Sequence, residues 1–153
     1  MATGPTLPLE IIHDIVAASL PFVPAFHPNP LSHHFRNRAK ILLLLCQVNS
    51  SVAHVAQRLL FARPFINGTA KLNQFYRILI ENTKFRHWVR SLNLYQGHRV
   101  YPEDVSPILR YIVQNCYELE ILALYRFKEI DFSSLTGGKS ECQILFQHYG
   151  ASS

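Results

Sequence analysis

Charged residues are scarce in this sequence, at 16% of 153 positions against roughly 25% in an ordinary soluble domain. So small a supply leaves part of the surface apolar, and some of that surface is expected to meet a partner. Paired cysteines are missing as well. Cys46, Cys116 and Cys142 stand far apart, without the close spacing of a zinc site or the even number of a disulfide framework, and they read as reduced thiols. The longest apolar run, Ile41 to Cys46, falls far short of a membrane span, and no basic segment precedes an apolar one at the N-terminus. The expected location is intracellular, cytoplasmic or nuclear, with no membrane partner, and Asn67-Gly68-Thr69 is expected to be a turn rather than a glycan site.

Catalytic signatures are absent too. The sequence contains no nucleophile elbow, phosphate-cradling glycine loop, zinc helix motif or paired-carboxylate site. No enzymatic activity, cofactor or metal is expected. His27, His33 and His34 cluster in sequence, but no Cys or carboxylate stands among them and their spacing matches no familiar ligand set. His13 and His54 fall on expected helices, as exposed or hydrogen-bonded side chains.

What is present is apolar: 48% of residues, enough for one domain of common size or two small ones, and too much for disorder. The net charge of +5 is uneven. Residues 1–76 hold six Lys or Arg against two Asp or Glu, whereas residues 77–153 hold nine against eight. Such a basic half suits nucleic acid, anionic lipid or an acidic protein, and charge alone does not choose.

Along the chain, Leu7 to Pro21 starts and stops a helix. Pro8 suits a first turn, Glu10 complements the positive end of the helix dipole, and Ile11, Ile12, Ile15, Val16 and Leu20 recur at helical spacing as one broad apolar face. Prolines 24, 28 and 30 then make Phe22 to Arg38 a loop. Ala39 to Val48 reads as a second helix, apolar almost all round, which asks for neighbours on every side. Asn49, Ser50 and Ser51 are caps for a third helix, Val52 to Phe61, with Val52, Val55, Ala56, Leu59 and Leu60 inward. Phe65 and Ile66 suit a short strand before the Asn67-Gly68 turn.

Beyond this point a repeat emerges. Phe75 to Glu81 reads as helix and Val89 to Tyr95 as strand; Tyr101-Pro102-Glu103-Asp104 then opens a helix with Ile108, Leu109, Ile112 and Val113 on its apolar face, and Leu119 to Leu124 is the next strand. Ile78 and Ile108, Leu79 and Leu109, Val89 and Leu119, Leu92 and Leu122, and Leu94 and Leu124 are all separated by the same offset. Helix and strand alternating at a fixed period is the pattern of stacked repeats; two unrelated αβ units of a compact domain are the alternative. The signal weakens over Ile130, Phe132, Leu135 and Gly137-Gly138, and Cys142 to Phe146 reads as a third, shortened strand. Gly150 to Ser153 is a tail without a repeat cap. Tyr95, Tyr125 and Arg126, just after the strands, are candidate outward positions.

Leu7-Pro8-x-Glu10-Ile11-x-x-x-Ile15, then Leu42, Leu45, Cys46 and Val48, then Leu59-Leu60-Phe61 resemble an F-box. Asn115-Cys116-x-x-Leu119-x-x-Leu122-x-Leu124 resembles a leucine-rich repeat of the kind that often follows the F-box in fungal proteins. The chain departs from both patterns. Val52 stands where the F-box usually has Trp, the loop before the second helix is long, and Phe85 and Arg86 stand where the other repeat has Asn115 and Cys116.

This resemblance implies an α+β chain: an F-box-like three-helix bundle over residues 7–61, then a short αβ leucine-rich-repeat solenoid segment over 64–146. It implies a substrate-recruiting subunit of a cullin-type ubiquitin ligase, docking a Skp-type adaptor and holding a target protein on its repeats. By the same resemblance Leu7, Pro8, Ile11, Ile15, Leu42, Leu45 and Val48 serve the docking or the core behind it. A repeat scaffold without a ubiquitin role is the first alternative. Nucleic-acid binding is the second, through the mixed cations and aromatics of Phe35 to Lys40 and Lys84 to Arg90; it is the weaker, because no recognised binding module frames them and Phe85, Trp88 and Val89 are expected to pack inside.

Overall fold

The computed structural model describes residues 7–21, 33–95, 105–125, 135 and 142–147. Most of the expected loop (22–32), the helix opening Tyr101 to Asp104, Arg126, the weak signal around Ile130, Phe132 and Gly137-Gly138, and the tail from Gly150 lie outside these residues. The described chain is mixed: five α-helices and a four-stranded parallel sheet. Its described residues divide into two compact units, one up to Leu60 and the other from Phe61 onward.

The first unit is helical. It comprises α1 (Leu9–Ser19), α2 (His33–Leu45) and α3 (Ser50–Ala62), whose last residues belong to the second unit. Val16, Leu42, Val55 and Ala56 form its buried cluster, with Ile12, Leu20, Leu45, Cys46, Leu59 and Leu60 packed around them. Pro8 is the cap of α1 rather than a residue of its first turn, and its carbonyl accepts from the Ile11 and Ile12 amides at 3.1 Å each. Asn49 caps α3 as its side chain promises, with Oδ1 accepting from the Val52 amide at 2.9 Å.

Two expectations are corrected here. The helix α2 starts at His33, not Ala39, so the last part of the expected loop is helical. No proline stands between Pro30 and the end of α2, and Phe35, which is buried, extends the inner stripe to Leu42 through Ala39 in steps of about four and three residues. That helix is also not buried all round: Leu43 and Leu44 are exposed, and Cys46 to Val48 form a tight turn beyond its end. The broad face of α1 is likewise split, with Ile12, Val16 and Leu20 inward and Ile11 and Ile15 outward.

The second unit is built on a sheet of β1 (Phe65–Asn67), β2 (Ser91–Tyr95), β3 (Ile121–Tyr125) and β4 (Gln143–Gln147), all parallel and side by side in chain order. Helix α4 (Thr69–Glu81) and a 3₁₀ turn (Thr83–His87) lie between β1 and β2, and α5 (Ser106–Asn115) lies between β2 and β3. Leu92 is the Cα partner of Leu122 and Leu94 of Leu124, so the sequence offset becomes the register of adjacent strands. The same offset joins Arg90 to Glu120 just before the strands, where the guanidinium Nη1 stands 3.1 Å from Oε1. Gly68 turns the chain from β1 into α4 at φ +92°, a conformation that disfavours a Cβ, and its amide donates to the Tyr95 carbonyl at 2.9 Å.

Alternation sends the strand residues to two faces. One face, with Leu92, Leu94, Leu122 and Leu124, packs with Leu72, Phe75 and Leu79 of α4 and with Leu109, Ile112 and Val113 of α5, joined by Val89, Cys116 and Leu135. Phe61 closes this core by stacking on Phe85, with ring centroids 4.3 Å apart. The other face carries Tyr95, Ala123 and Tyr125 with Phe65, Ile121 and Leu145. Tyr95 and Tyr125 are therefore strand residues and buried, not outward positions after the strands. Ser91 and Asn93 share that second face; both are buried, and the Ser91 hydroxyl and both amide atoms of Asn93 have no hydrogen-bond partner.

Candidate partner-docking site

Water exposes what a small helical unit cannot cover. Of the seven residues the sequence singles out, α1 and the residues before it carry four, and all four are exposed: Leu7, Pro8, Ile11 and, at 57% exposure, Ile15. Ile11 and Ile15 are one helical turn apart and present adjacent side chains. Val48, in the turn after α2, is 62% exposed. The remaining two behave differently. Leu42 is 1% exposed at the centre of the buried cluster, and Leu45 is half-buried against it.

Leu9, Leu43 and Leu44 join the exposed set, Leu44 at 65%. Helical angle carried the signal for the two leucines of α2: at about 100° per residue, Leu44 points away from Leu42 while Cys46 returns to its side. A run of four leucines hides this, because every position is equally apolar.

Leaving a large aliphatic side chain in water forgoes roughly 1.5–3 kcal/mol of burial. Seven such residues, Leu7, Leu9, Ile11, Ile15, Leu43, Leu44 and Val48, stand exposed on one small unit, and α1 sets only two acidic residues, Glu10 and Asp14, beside them. Exposed aliphatic side chains of this kind are chemically suited to contact with other apolar groups. Arg36 and Lys40 are exposed on α2 and bring positive charge beside Leu43 and Leu44.

The other candidate surface, Lys84 to Arg90, is largely committed to its own unit. Nε of Arg86 donates to the Leu79 carbonyl at 2.8 Å, closing the C-terminal end of α4, and its guanidinium lies over the Tyr111 ring. Arg90 pairs with Glu120 and Glu118. Phe85 stacks on Phe61, Val89 is buried, and the Lys84 ammonium sits over the Phe85 and Trp88 rings. Bases would find few free cations and no open ring face on Phe85.

Among the described residues no group of His, Cys, Asp or Glu is arranged to hold a metal, and no helix is long and apolar enough to cross a membrane. Cys46, Cys116 and Cys142 are not joined in disulfides. Burial lowers the Arg63 pKa from its ordinary value, and arginine stays charged at any ordinary pH. Comparison with protein-family models, curated proteins and solved structures finds no match for this chain.

Proposed function

We propose that this chain is an F-box-type substrate-recruiting subunit, docking a Skp-type adaptor of a cullin ubiquitin ligase through α1 and α2 and holding a target protein on its sheet unit as on a short leucine-rich-repeat segment. The observation that carries the reading is the exposed aliphatic set of the helical unit, standing on the elements where the F-box resemblance places adaptor contact. The division of the seven residues sharpens it. Leu7, Pro8, Ile11, Ile15 and Val48 are the contact residues, with Leu43 and Leu44 added, while Leu42 and Leu45 hold the core behind them.

The sheet supports the second half of the proposal. Parallel strands lie side by side in chain order, and β2 and β3 are each preceded by a helix packed on the same face; a stacked αβ repeat requires this arrangement, since each unit buries its apolar residues against the next. Cys116, fully buried just after α5, and Asn115, whose Nδ2 donates to the Tyr111 carbonyl at 2.8 Å, are the two residues that open the repeat resemblance, and their inward commitment supports the reading.

Co-purification of the tagged chain with a Skp-type adaptor tests this. Adaptor bound by the wild type and lost by Ile15→Asp with Leu44→Asp supports the reading. Absence of adaptor from the wild type removes the ubiquitin role and leaves an interaction scaffold.

A further inference from the structure

The strand β4 ends the sheet among the described residues: it pairs with β3, and no described strand pairs with its other edge. Which backbone groups face that edge follows from one hydrogen bond. The Gln143 amide donates to the Glu120 carbonyl beside β3 at 2.8 Å, so by alternation Leu145 and Gln147 also turn their N–H and C=O groups toward β3, and Ile144 and Phe146 turn theirs outward.

Edge strands that stay single are usually protected by a charge, a proline or a bulge. Cys142-Gln143-Ile144-Leu145-Phe146-Gln147 has no charged residue, proline or glycine. Two of its side chains are also less covered than their partners one strand inward. Leu122 and Ala123 are fully buried, whereas their Cα partners Ile144 and Leu145 are only half-buried while touching the two core faces.

We propose that β4 pairs antiparallel with β4 of a second copy of this chain about a two-fold axis at Leu145. The sequence is its own complement in that register. Gln143 opposes Gln147 of the second copy, Ile144 opposes Phe146, and Leu145 opposes Leu145. Ile144 and Phe146, whose outward groups pair with no described strand, fall at the hydrogen-bonded positions and exchange both bonds, while Leu145 falls at the close, non-hydrogen-bonded position where side chains touch most. The apolar face that Ile144 extends and the face that Leu145 extends both continue across the axis, so the two sheets become one. This pairing is independent of adaptor docking, which uses the other unit.

Sedimentation equilibrium of the full chain over roughly a hundredfold range of concentration is expected to show a monomer–dimer equilibrium. Ile144→Pro deletes an outward N–H and leaves the ladder to β3 intact; it is expected to give monomer with an unchanged far-ultraviolet circular dichroism spectrum. Gln143→Lys with Gln147→Lys sets like charges opposite each other and is expected to weaken association about tenfold. Gln143→Lys with Gln147→Glu sets opposite charges there and is expected to restore it. A monomer at every concentration, a species that grows without limit, or equal effects of the two charge pairs overturns the proposal.

Discussion

Leu92 and Leu122, thirty residues apart in the sequence, are Cα partners on adjacent parallel strands, and neither exposes any surface to water. Side by side, each is covered by the helix layer that the other also touches. A charge at either position has nowhere to go. Leu122→Asp is expected to unfold the sheet unit, because an unpaired carboxylate at a dry site costs several kcal/mol against a stability of about 5–15 kcal/mol for a whole domain. Urea denaturation checks it; an unchanged midpoint means that this face of β3 is not core.

Asn93 is a different kind of buried residue, with 0% exposure and both amide atoms unpaired. An unsatisfied buried polar group costs roughly 1–3 kcal/mol. Asn93→Val keeps a strand-forming side chain at that position and removes the polar atoms, so it is expected to raise stability by about 1 kcal/mol or more. A fall in the denaturation midpoint would show that the amide has a partner, such as an ordered water.

Arg86 closes α4 by donating to the Leu79 and Ile80 carbonyls, at 2.8 and 3.4 Å. Arg86→Ala is expected to cost about 1–2 kcal/mol through the lost charge-assisted bond and the lost packing on Tyr111. Arg86→Lys is expected to recover only part of it, since an ammonium lacks the planar fork. Full recovery with Lys in the same denaturation experiment would assign the effect to charge alone.

Asn49 caps α3 through the Val52 amide. Asn49→Ala is expected to lower the stability of the helical unit by about 1 kcal/mol, and Asn49→Asp to retain most of it. Thermal unfolding followed by circular dichroism separates the two outcomes.

The periodic parts of the fold were the legible ones. The strands β1, β2 and β3, the apolar face of α5, the offset that became the β2–β3 register and the turn at Gly68 follow from alternation, helical spacing and one glycine that accepts positive φ, whereas α4 starts at Thr69, before the expected Phe75, and β2 at Ser91, after the expected Val89. The start of α2 was not legible, because three prolines close by hid the fact that Phe35 already stands on its inner stripe. The faces of α2 were obscured for the opposite reason. Consecutive leucines carry no amphipathic contrast, so Leu42 and Leu44 look alike in sequence and differ only once α1 and α3 cover one side. The inward turn of Tyr95 and Tyr125 was also invisible, since a strand buried on both faces loses its alternation.

The measurement that bears most directly on the function is adaptor capture by a pair of matched variants. Ile15→Asp with Leu44→Asp alters two residues that the fold leaves in water, so the variant is expected to unfold at the wild-type temperature and to lose the Skp-type adaptor from pull-downs. Leu42→Asp alters the buried cluster and is expected to lose both. Wild-type chain that captures no adaptor, or an Ile15→Asp with Leu44→Asp variant that captures it undiminished, contradicts the account.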